Sequence, residues 1–288
     1  MKSLIIHTGI RVKSFYCNIT SPVRVLPDFL IIGVQKGGTT SLYNYLSEHP
    51  DVISARRKEV HFFDQHFRMG VPWYRGNFPT VMYKYYIERI RRQPFITGEG
   101  SPEYVFYPHV AKKVAGLLPN VKLIALLRNP VDRAYSQYRH NISWGHEKLS
   151  FEEALALEEE RIREGKEKAA ADENYHNFSY QRAAYLARGI YVDQLQRWMS
   201  LFPREQILLL RSEDFHKDPA EIYKKTLAFL NVPVFEPENL RRGYKQYNMS
   251  KDTPSKMDPA IRKRLVEYFE PHNARLYEFL GINFGWDR

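Results

Sequence analysis

The chain has 288 residues, of which 43% are hydrophobic and 14% aromatic, as in a globular protein with a full core. Its net charge of +10 favours anionic ligands, but we find no zinc-finger spacing, RNA-recognition signature or clear helix-turn-helix, so we expect no nucleic-acid partner. The single cysteine, Cys17, excludes an intrachain disulfide and a cysteine-built metal site. The first apolar run is too short for a signal peptide or a membrane span, which predicts a cytoplasmic protein.

Strand and helix patterns alternate along the chain. Residues 1–27 carry little pattern and are predicted to be an N-terminal extension. Short apolar runs predict strands at 29–34, at the start of 95–107, at 121–127 and within 206–215. Helical spacing follows the first strand and recurs at 108–119, 129–142, 149–174, 189–203, 218–230 and 258–280. This alternation predicts one α/β domain over 28–288, with a central parallel sheet flanked by helices.

Residues 149–174 begin with a capping box, Ser150 with Glu153. The stretch then consists mainly of charged residues and alanine, with few bulky apolar side chains. It therefore predicts an exposed helix, and we interpret 149–188 as a helical lid that shapes the acceptor region.

A polar loop, Gln-Lys-Gly-Gly-Thr-Thr-Ser, joins the first strand to the helix that follows. Gly37 and Gly38 can aim backbone N–H groups inward, Lys36 supplies a charge, and the helix N-terminus adds partial positive charge. Three hydroxyl groups complete the set: Thr39, Thr40 and Ser41. The composition predicts a P-loop-like phosphate cradle, although a polar turn without a ligand has the same local pattern.

The loop differs from a nucleotide P-loop, because its lysine lies two residues before the last glycine. The strand at 121–127 is followed by Arg128, where a magnesium-binding carboxylate would be expected. Ser136 lies about two turns into the next helix, so Arg128 and Ser136 could bind a second phosphate. Together these features indicate an anionic nucleotide that is bound without a metal.

The segment Lys-Glu-Val-His-Phe-Phe-Asp, residues 58–64, is the other concentration of chemical groups. If it is extended, Glu59 and His61 share one face, toward the crevice, while Val60 and Phe62 enter the core. Aromatic surroundings would then raise the pKa of Glu59 toward that of a general base. An edge segment with solvated charges is the alternative.

These segments together resemble the sulfotransferases that use 3′-phosphoadenosine 5′-phosphosulfate (PAPS), nearest to the heparan-sulfate type and its bacterial relatives. The resemblance covers residues 28–288. It rests on the loop at 35–41, on KEVHFFD, GEGSPEYVFYP, KLIALLRNPVDRAYSQYRH and FPREQILLLRSEDF, and on the ending YFEPHNARLYEFLGINFGW.

The resemblance implies a role for each group. The loop from Lys36 to Ser41 would hold the 5′-phosphosulfate, and Arg128 with Ser136 the 3′-phosphate. Glu59 would take the proton of the acceptor hydroxyl or amine, while Lys36 would stabilise the leaving phosphate.

The remaining implied roles concern the acceptor and the adenine side. His61 would lie beside the base as a further catalytic group. Three residues would be on the acceptor side: Asp64, Glu99 and Ser101. A loop that closes over the nucleotide would include Arg242, Gly243 and Tyr244.

Two departures bear on the acceptor. The family's Glu-Lys-Ser-Pro turn is here Glu99-Gly100-Ser101-Pro102, without the lysine, and one cysteine cannot form the C-terminal disulfide loop of the animal enzymes. Both argue against heparan sulfate itself. A glycan, a lipid or polyketide hydroxyl and a small phenol remain open as acceptors. A metal-dependent nucleotide kinase and a non-catalytic nucleotide- or polyanion-binding module remain as alternative functions.

Overall fold

Five short strands form one parallel sheet in the computed structural model, which describes residues 19–172, 174–175, 177–241 and 256–286. The sheet order is β2-β3-β1-β4-β5. The strands are β1 Phe29–Gly33, β2 Val52–Ser54, β3 Ile96–Gly100, β4 Lys122–Leu127 and β5 Ile207–Arg211. The predicted α/β fold is confirmed. The short strand β2 was missed, because three residues with one fully buried side chain leave no readable apolar run.

Helices cover both faces of the sheet. They are α1 Thr39–Ser47, α2 Gly70–Arg75, α3 Val81–Tyr85, α4 Val110–Leu117, α5 Pro130–Ser143, α6 Phe151–Ala156, α7 Glu158–Ala171, α8 Phe178–Ala183, α9 Tyr191–Met199, α10 Ser212–Lys217, α11 Pro219–Leu230, α12 Glu238–Arg241 and α13 Pro259–Leu280. In the part of the chain that the structure describes, no helix has both the length and the apolar character needed to cross a bilayer.

Alternate side chains of β1 enter two different cores. Leu30 and Ile32 belong to the larger apolar cluster, with Phe62 and Tyr104. On the other face, Ile31 and its neighbour Phe29 pack in a second cluster with Leu42, Leu46 and Phe215. Every residue of β1 is buried, as in a central parallel strand that is covered on both faces.

Helix starts follow the predicted capping chemistry. Asn129 Oδ1 accepts from the backbone N–H of Val131 at 2.9 Å, with Pro130 at the first position of α5. Ser150 and Glu153 form the capping box of α6. These caps fix where α5 and α6 begin, and α5 begins directly beyond the carboxyl end of β4.

The predicted exposed helix at 149–174 is wrong in two respects. It is divided at Leu157 into α6 and α7, and the inner face of α7 is buried at Ile162 and Ala169. Glu158 at the start of α7 is also buried, and its carboxylate accepts from the backbone N–H groups of 185–187 at 2.7–2.9 Å. The sequence signal was misleading because the buried face of α7 has one bulky apolar side chain, Ile162, beside the small residues Gly165 and Ala169.

Candidate active site

The loop after β1 lies against the end of β4. A Cβ on Gly37 would be 2.5 Å from the carbonyl oxygen of Leu126, so only glycine fits there. Gly38 has φ 97° and Lys36 has φ 68°, left-handed conformations that bend the chain into α1. The Gly37 N–H donates to the carbonyl of Val34 at 2.9 Å. The predicted loop and helix start therefore coincide with the carboxyl edge of the sheet, where ligands bind in such folds.

Lys36 and Arg128 lie together at this edge. Arg128 Nη1 donates to the carbonyl oxygen of Lys36 at 3.0 Å. The hydroxyl of Tyr191 donates to the Arg128 carbonyl at 2.8 Å, which fixes the arginine backbone. Burial, and next the Arg128 charge, lower the pKa of Lys36 to about 8, while the Glu59 charge opposes them. Two cations and a helix N-terminus therefore converge on one place, which suits an anion.

One face of α5 is turned toward the same place. Burial, and next the charge of Lys36, lower the pKa of His140, which places that ring near the lysine. Ser136 is one turn earlier on the same helix face and is partly exposed. Sequence reasoning selected Ser136 but missed His140, because a histidine inside a polar helix carries no local signal.

The segment 58–64 is not extended, which corrects the predicted conformation. Glu59 has φ 61° and His61 has φ 54°, both left-handed, whereas Val60 and Phe62 are buried as expected. Non-glycine residues in this region cost roughly 1–3 kcal/mol each and persist only where the surroundings impose them. Tertiary hydrogen bonds must therefore hold the segment.

Those hydrogen bonds come from the end of β3 and from the turn that follows it. The N–H of Val60 donates to Glu99 Oε2 at 3.2 Å, and the N–H of His61 donates to Ser101 Oγ at 3.1 Å. The hydroxyl of Tyr104 accepts from the N–H of Phe62 at 2.8 Å. The three consecutive amides of Val60, His61 and Phe62 therefore each have a side-chain partner.

Glu99 and Ser101 are fully buried, and their predicted contact with the acceptor stays a prediction. Glu99 accepts from the hydroxyls of Ser101 at 2.7 Å, Tyr104 at 2.9 Å and Tyr74 at 3.0 Å. Burial raises the pKa of Glu99, and these hydrogen bonds oppose that shift. Its position in β3, beneath the 58–64 segment, lets it support the backbone of that segment.

Gly100 occupies the position of the family's lysine in this turn. A Cβ there would be 3.5 Å from both Ile31 and Tyr43, an ordinary van der Waals distance. A Cβ atom would therefore fit at this position, and close packing does not require a glycine there.

The Glu59 carboxylate has two cationic neighbours. Lys58 Nζ lies 2.5 Å from Glu59 Oε1, and His61 Nε2 lies 3.6 Å from Oε2. Burial alone would raise the pKa of Glu59, but the His61 hydrogen bond and the Lys58 charge outweigh it and lower the pKa to about 2. The predicted rise is wrong because these two cationic neighbours outweigh the effect of burial on the Glu59 pKa.

His61 is held between carboxylates. Its Nδ1 lies 2.8 Å from Oδ2 of Asp64, whose side chain is fully buried. Burial would lower the pKa of His61, but hydrogen bonds from Asp64 and Glu59 raise it to about 11. Asp64 therefore orients His61 and holds it charged, and the predicted contact of Asp64 with the acceptor stays a prediction.

A further buried carboxylate near His61, that of Glu103, was missed by sequence reasoning. It accepts from Gln35 Nε2 at 3.2 Å and Gln181 Nε2 at 2.5 Å, and Arg188 Nη2 lies 3.8 Å from it. Atoms of Glu103, Asp64 and His61 that could ligate a metal lie within 4.8 Å of one another. The predicted absence of a metal remains a prediction.

Several buried polar atoms around Glu103 have no hydrogen-bond partner among the described residues. Donors and acceptors both occur: Arg188 Nε and Nη2, Asp64 Oδ1, Gln35 Oε1 and Gln181 Oε1. Buried groups of this kind are normally hydrogen-bonded, so the cluster is suited to a polar ligand or to water. The residues of this cluster come from distant parts of the chain, so no sequence motif indicated it.

The predicted adenine-side residues Arg242, Gly243 and Tyr244 lie outside the described residues. Their role stays a prediction.

Comparison with known proteins gives a consistent result. The family model described as Sulfotransferase domain matches residues 26–272. Human heparan sulfate glucosamine 3-O-sulfotransferase 6 is 30% identical, over 91% of this chain and 74% of that protein. The membrane-associated sulfotransferase kil1 of Dictyostelium discoideum is 28% identical, over 91% of this chain and 66% of that protein.

Among solved structures, a sulfotransferase from Alicyclobacillus acidocaldarius is 34% identical and has a TM-score of 0.67, covering 92% of this chain and all of that one. Because one relative is membrane-associated by name, the predicted cytoplasmic location stays a prediction.

Proposed function

The chain belongs to the sulfotransferase family and is a PAPS-dependent enzyme, and on that premise we propose which residues carry the transfer and which acceptor it takes. The observation that carries the proposal is the position of Lys36. Its ammonium group is near enough to Arg128 and to Glu59 for both charges to change its pKa. It therefore lies between a cationic site, suited to the donor, and a carboxylate, suited to the acceptor proton.

On the donor side, the loop 35–41 and the N-terminus of α1 receive the 5′-phosphosulfate. Arg128 and Ser136 receive the 3′-phosphate. The position of Arg128 beside Lys36 supports this assignment. Burial, and next the Arg128 charge, lower the Lys36 pKa, and the two anionic groups of the donor would offset the repulsion between these cations.

The chemical step is an in-line displacement at sulfur. The acceptor oxygen forms a bond to sulfur as the bond from sulfur to the 5′-phosphate oxygen breaks, giving a sulfate ester and 3′-phosphoadenosine 5′-phosphate (PAP). Glu59 takes the acceptor proton, and Lys36 stabilises the charge that develops on the leaving phosphate. His61, charged and held by Asp64, orients the Glu59 carboxylate.

We assign the acceptor to polyhydroxylated molecules such as glycans. The unpartnered atoms beside His61 and Asp64 include guanidinium donors of Arg188 and amide acceptors of Gln35 and Gln181. A sugar hydroxyl both donates and accepts, so a row of hydroxyls suits this mixture, whereas a phenol or a long-chain alcohol offers one such group. Relatives named as heparan sulfate enzymes support a glycan in general terms.

Titration calorimetry with PAP, AMP and ATP-magnesium tests the donor site, on the wild type and on Arg128→Ala. We expect tight binding of PAP only, and a loss of about 30-fold or more in Arg128→Ala, because the 3′-phosphate loses its charged partner. AMP, which lacks the 3′-phosphate, should not respond to the substitution. Equal loss for AMP would contradict the assignment of Arg128.

Transfer from labelled PAPS to neutral oligosaccharides, simple phenols and long-chain alcohols tests the acceptor. We expect oligosaccharides to be sulfated best, and Glu103→Gln to lower kcat/KM for them about tenfold through lost charged hydrogen bonds. The affinity for PAP should not change in that variant. A preference for phenols that Glu103→Gln leaves intact would contradict the polyol assignment but not the donor site.

A further inference from the structure

A stripe of apolar side chains is exposed on the segment that precedes β3. Met82 is 83% exposed, Ile90 63%, Tyr85 60% and Tyr86 49%. These four residues, which we call the 82–90 stripe, lie on α3 and on the π-helical turn Tyr86–Ile90 that continues it. Contiguous exposed apolar side chains on a globular protein mark an interaction surface.

The opposite face of this segment is anchored to the protein. Ile87 is buried, and the ring of Tyr83 packs edge-on against Phe95 with the centroids 6.3 Å apart. Thr80 caps the start of α3, accepting from the N–H of Tyr83 at 3.1 Å. The stripe is therefore presented on a fixed element.

Exposed arginines border the stripe. Arg89, Arg91 and Arg92 are all exposed, and no ion pair within the described ranges involves them. The segment's acidic residue, Glu88, is paired with Lys84 at 3.7 Å. The surface therefore combines apolar and aromatic groups with an excess of positive charge.

This surface lies near the amino ends of the strands, opposite the end of the sheet that carries the active site. The segment leads into the amino end of β3, and the Lys84 charge influences Asp28, which directly precedes β1. The nucleotide loop and Arg128 lie at the carboxyl ends of β1 and β4. Binding of donor or acceptor therefore does not account for the stripe or its arginines.

We propose that the 82–90 stripe and its arginines dock the protein onto an anionic lipid membrane surface. Tyrosine is favoured at the boundary between lipid headgroups and acyl chains, and Met82 and Ile90 supply apolar area to insert there. Arginines beside the stripe match the negative potential of anionic headgroups. A symmetric contact with a second copy would instead bring the same arginines together, which disfavours that occupant.

Co-sedimentation with vesicles tests the proposal, using phosphatidylcholine alone and phosphatidylcholine mixed with phosphatidylglycerol. We expect binding to the mixed vesicles only, and release at high salt. The variant Arg89→Gln/Arg91→Gln should bind about 30-fold more weakly, since each basic residue near the surface contributes roughly fivefold. The variant Met82→Ser/Tyr85→Ser/Ile90→Ser should lose at least about tenfold in binding.

Matched controls remove the same kinds of group elsewhere. Leu201→Ser removes an exposed apolar side chain, and Arg163→Gln/Lys166→Gln removes two exposed charges from α7; both should bind like the wild type. Unchanged PAP affinity shows that each variant is folded. No binding to mixed vesicles, or binding unaffected by the stripe variants, would overturn the proposal. So would a dimer that the stripe variants dissociate, which would assign the surface to a second copy.

Discussion

The proton of Lys36 should control nucleotide affinity in the alkaline range. With a pKa of about 8 in the free protein, the ammonium group is mostly charged at pH 7 and mostly neutral at pH 9. A bound phosphosulfate or phosphate raises that pKa again, so binding above pH 8 must take up a proton. From this titration alone, the Kd for PAP should rise about tenfold between pH 7 and pH 9.

Calorimetry in buffers of different ionisation enthalpy measures both quantities. At pH 8 we expect an uptake of about half a proton per PAP bound, since half of the Lys36 side chains are then neutral. Lys36→Arg is the matched control, because arginine keeps its charge throughout and should bind without the pH slope. A wild type with no slope, or a Lys36→Arg variant with the wild-type slope, would refute the assignment.

Three further substitutions test nucleotide binding, the transfer step and the stability of the fold separately. Ser136→Ala should weaken PAP about tenfold, by loss of a hydrogen bond to a charged group, and leave AMP unchanged in calorimetry. Glu59→Gln should lower kcat by about 10²–10⁴ without weakening PAP, measured by transfer from labelled PAPS; a smaller loss would remove Glu59 as the base. Tyr104→Phe should lower the free energy of unfolding in urea by about 1–3 kcal/mol, because Glu99 and the Phe62 N–H lose a buried partner. Tyr223→Phe is its control, since that buried hydroxyl has no hydrogen-bond partner among the described residues and should be nearly neutral.

The loop 35–41 and its place at the end of β1 could be predicted from the sequence because their determinants are local. Gly37 and Gly38 are required by close packing and a left-handed turn, and Asn129 with Pro130 fixes the start of α5 after β4. Such signals lie within a few residues of the structure they specify. The parallel order of β1 and β4 then follows from the alternation of strands and helices.

The acceptor side could not be predicted in the same way. Glu59 and His61 are not glycines, so nothing local indicates their left-handed conformations. The conformations depend on Glu99 and Ser101, about 40 residues away along the chain. The pairing of Glu103 with Arg188 spans a still greater distance. From sequence motifs alone, a carboxylate in such a segment is a candidate for ligand contact. In the structure, Glu99 supports the backbone of the 58–64 segment, and Glu103 organises a polar cluster.

The low pKa of Glu59 bears on how this residue would operate as the proposed base. A carboxylate with a pKa of about 2 is ionised at every physiological pH, so it is always ready to accept a proton, but it is too weak to remove one from a free hydroxyl. It must therefore act late, once bond formation to sulfur has made the acceptor proton acidic. As a consequence, kcat/KM should show no acid limb near pH 6, where a carboxylate with a raised pKa would produce one. The alkaline limb should lie near pH 8, from Lys36. A limb near pH 6 that disappears in His61→Gln would instead mean that the imidazole titrates in the working range, and that the carboxylates around it do not hold it charged.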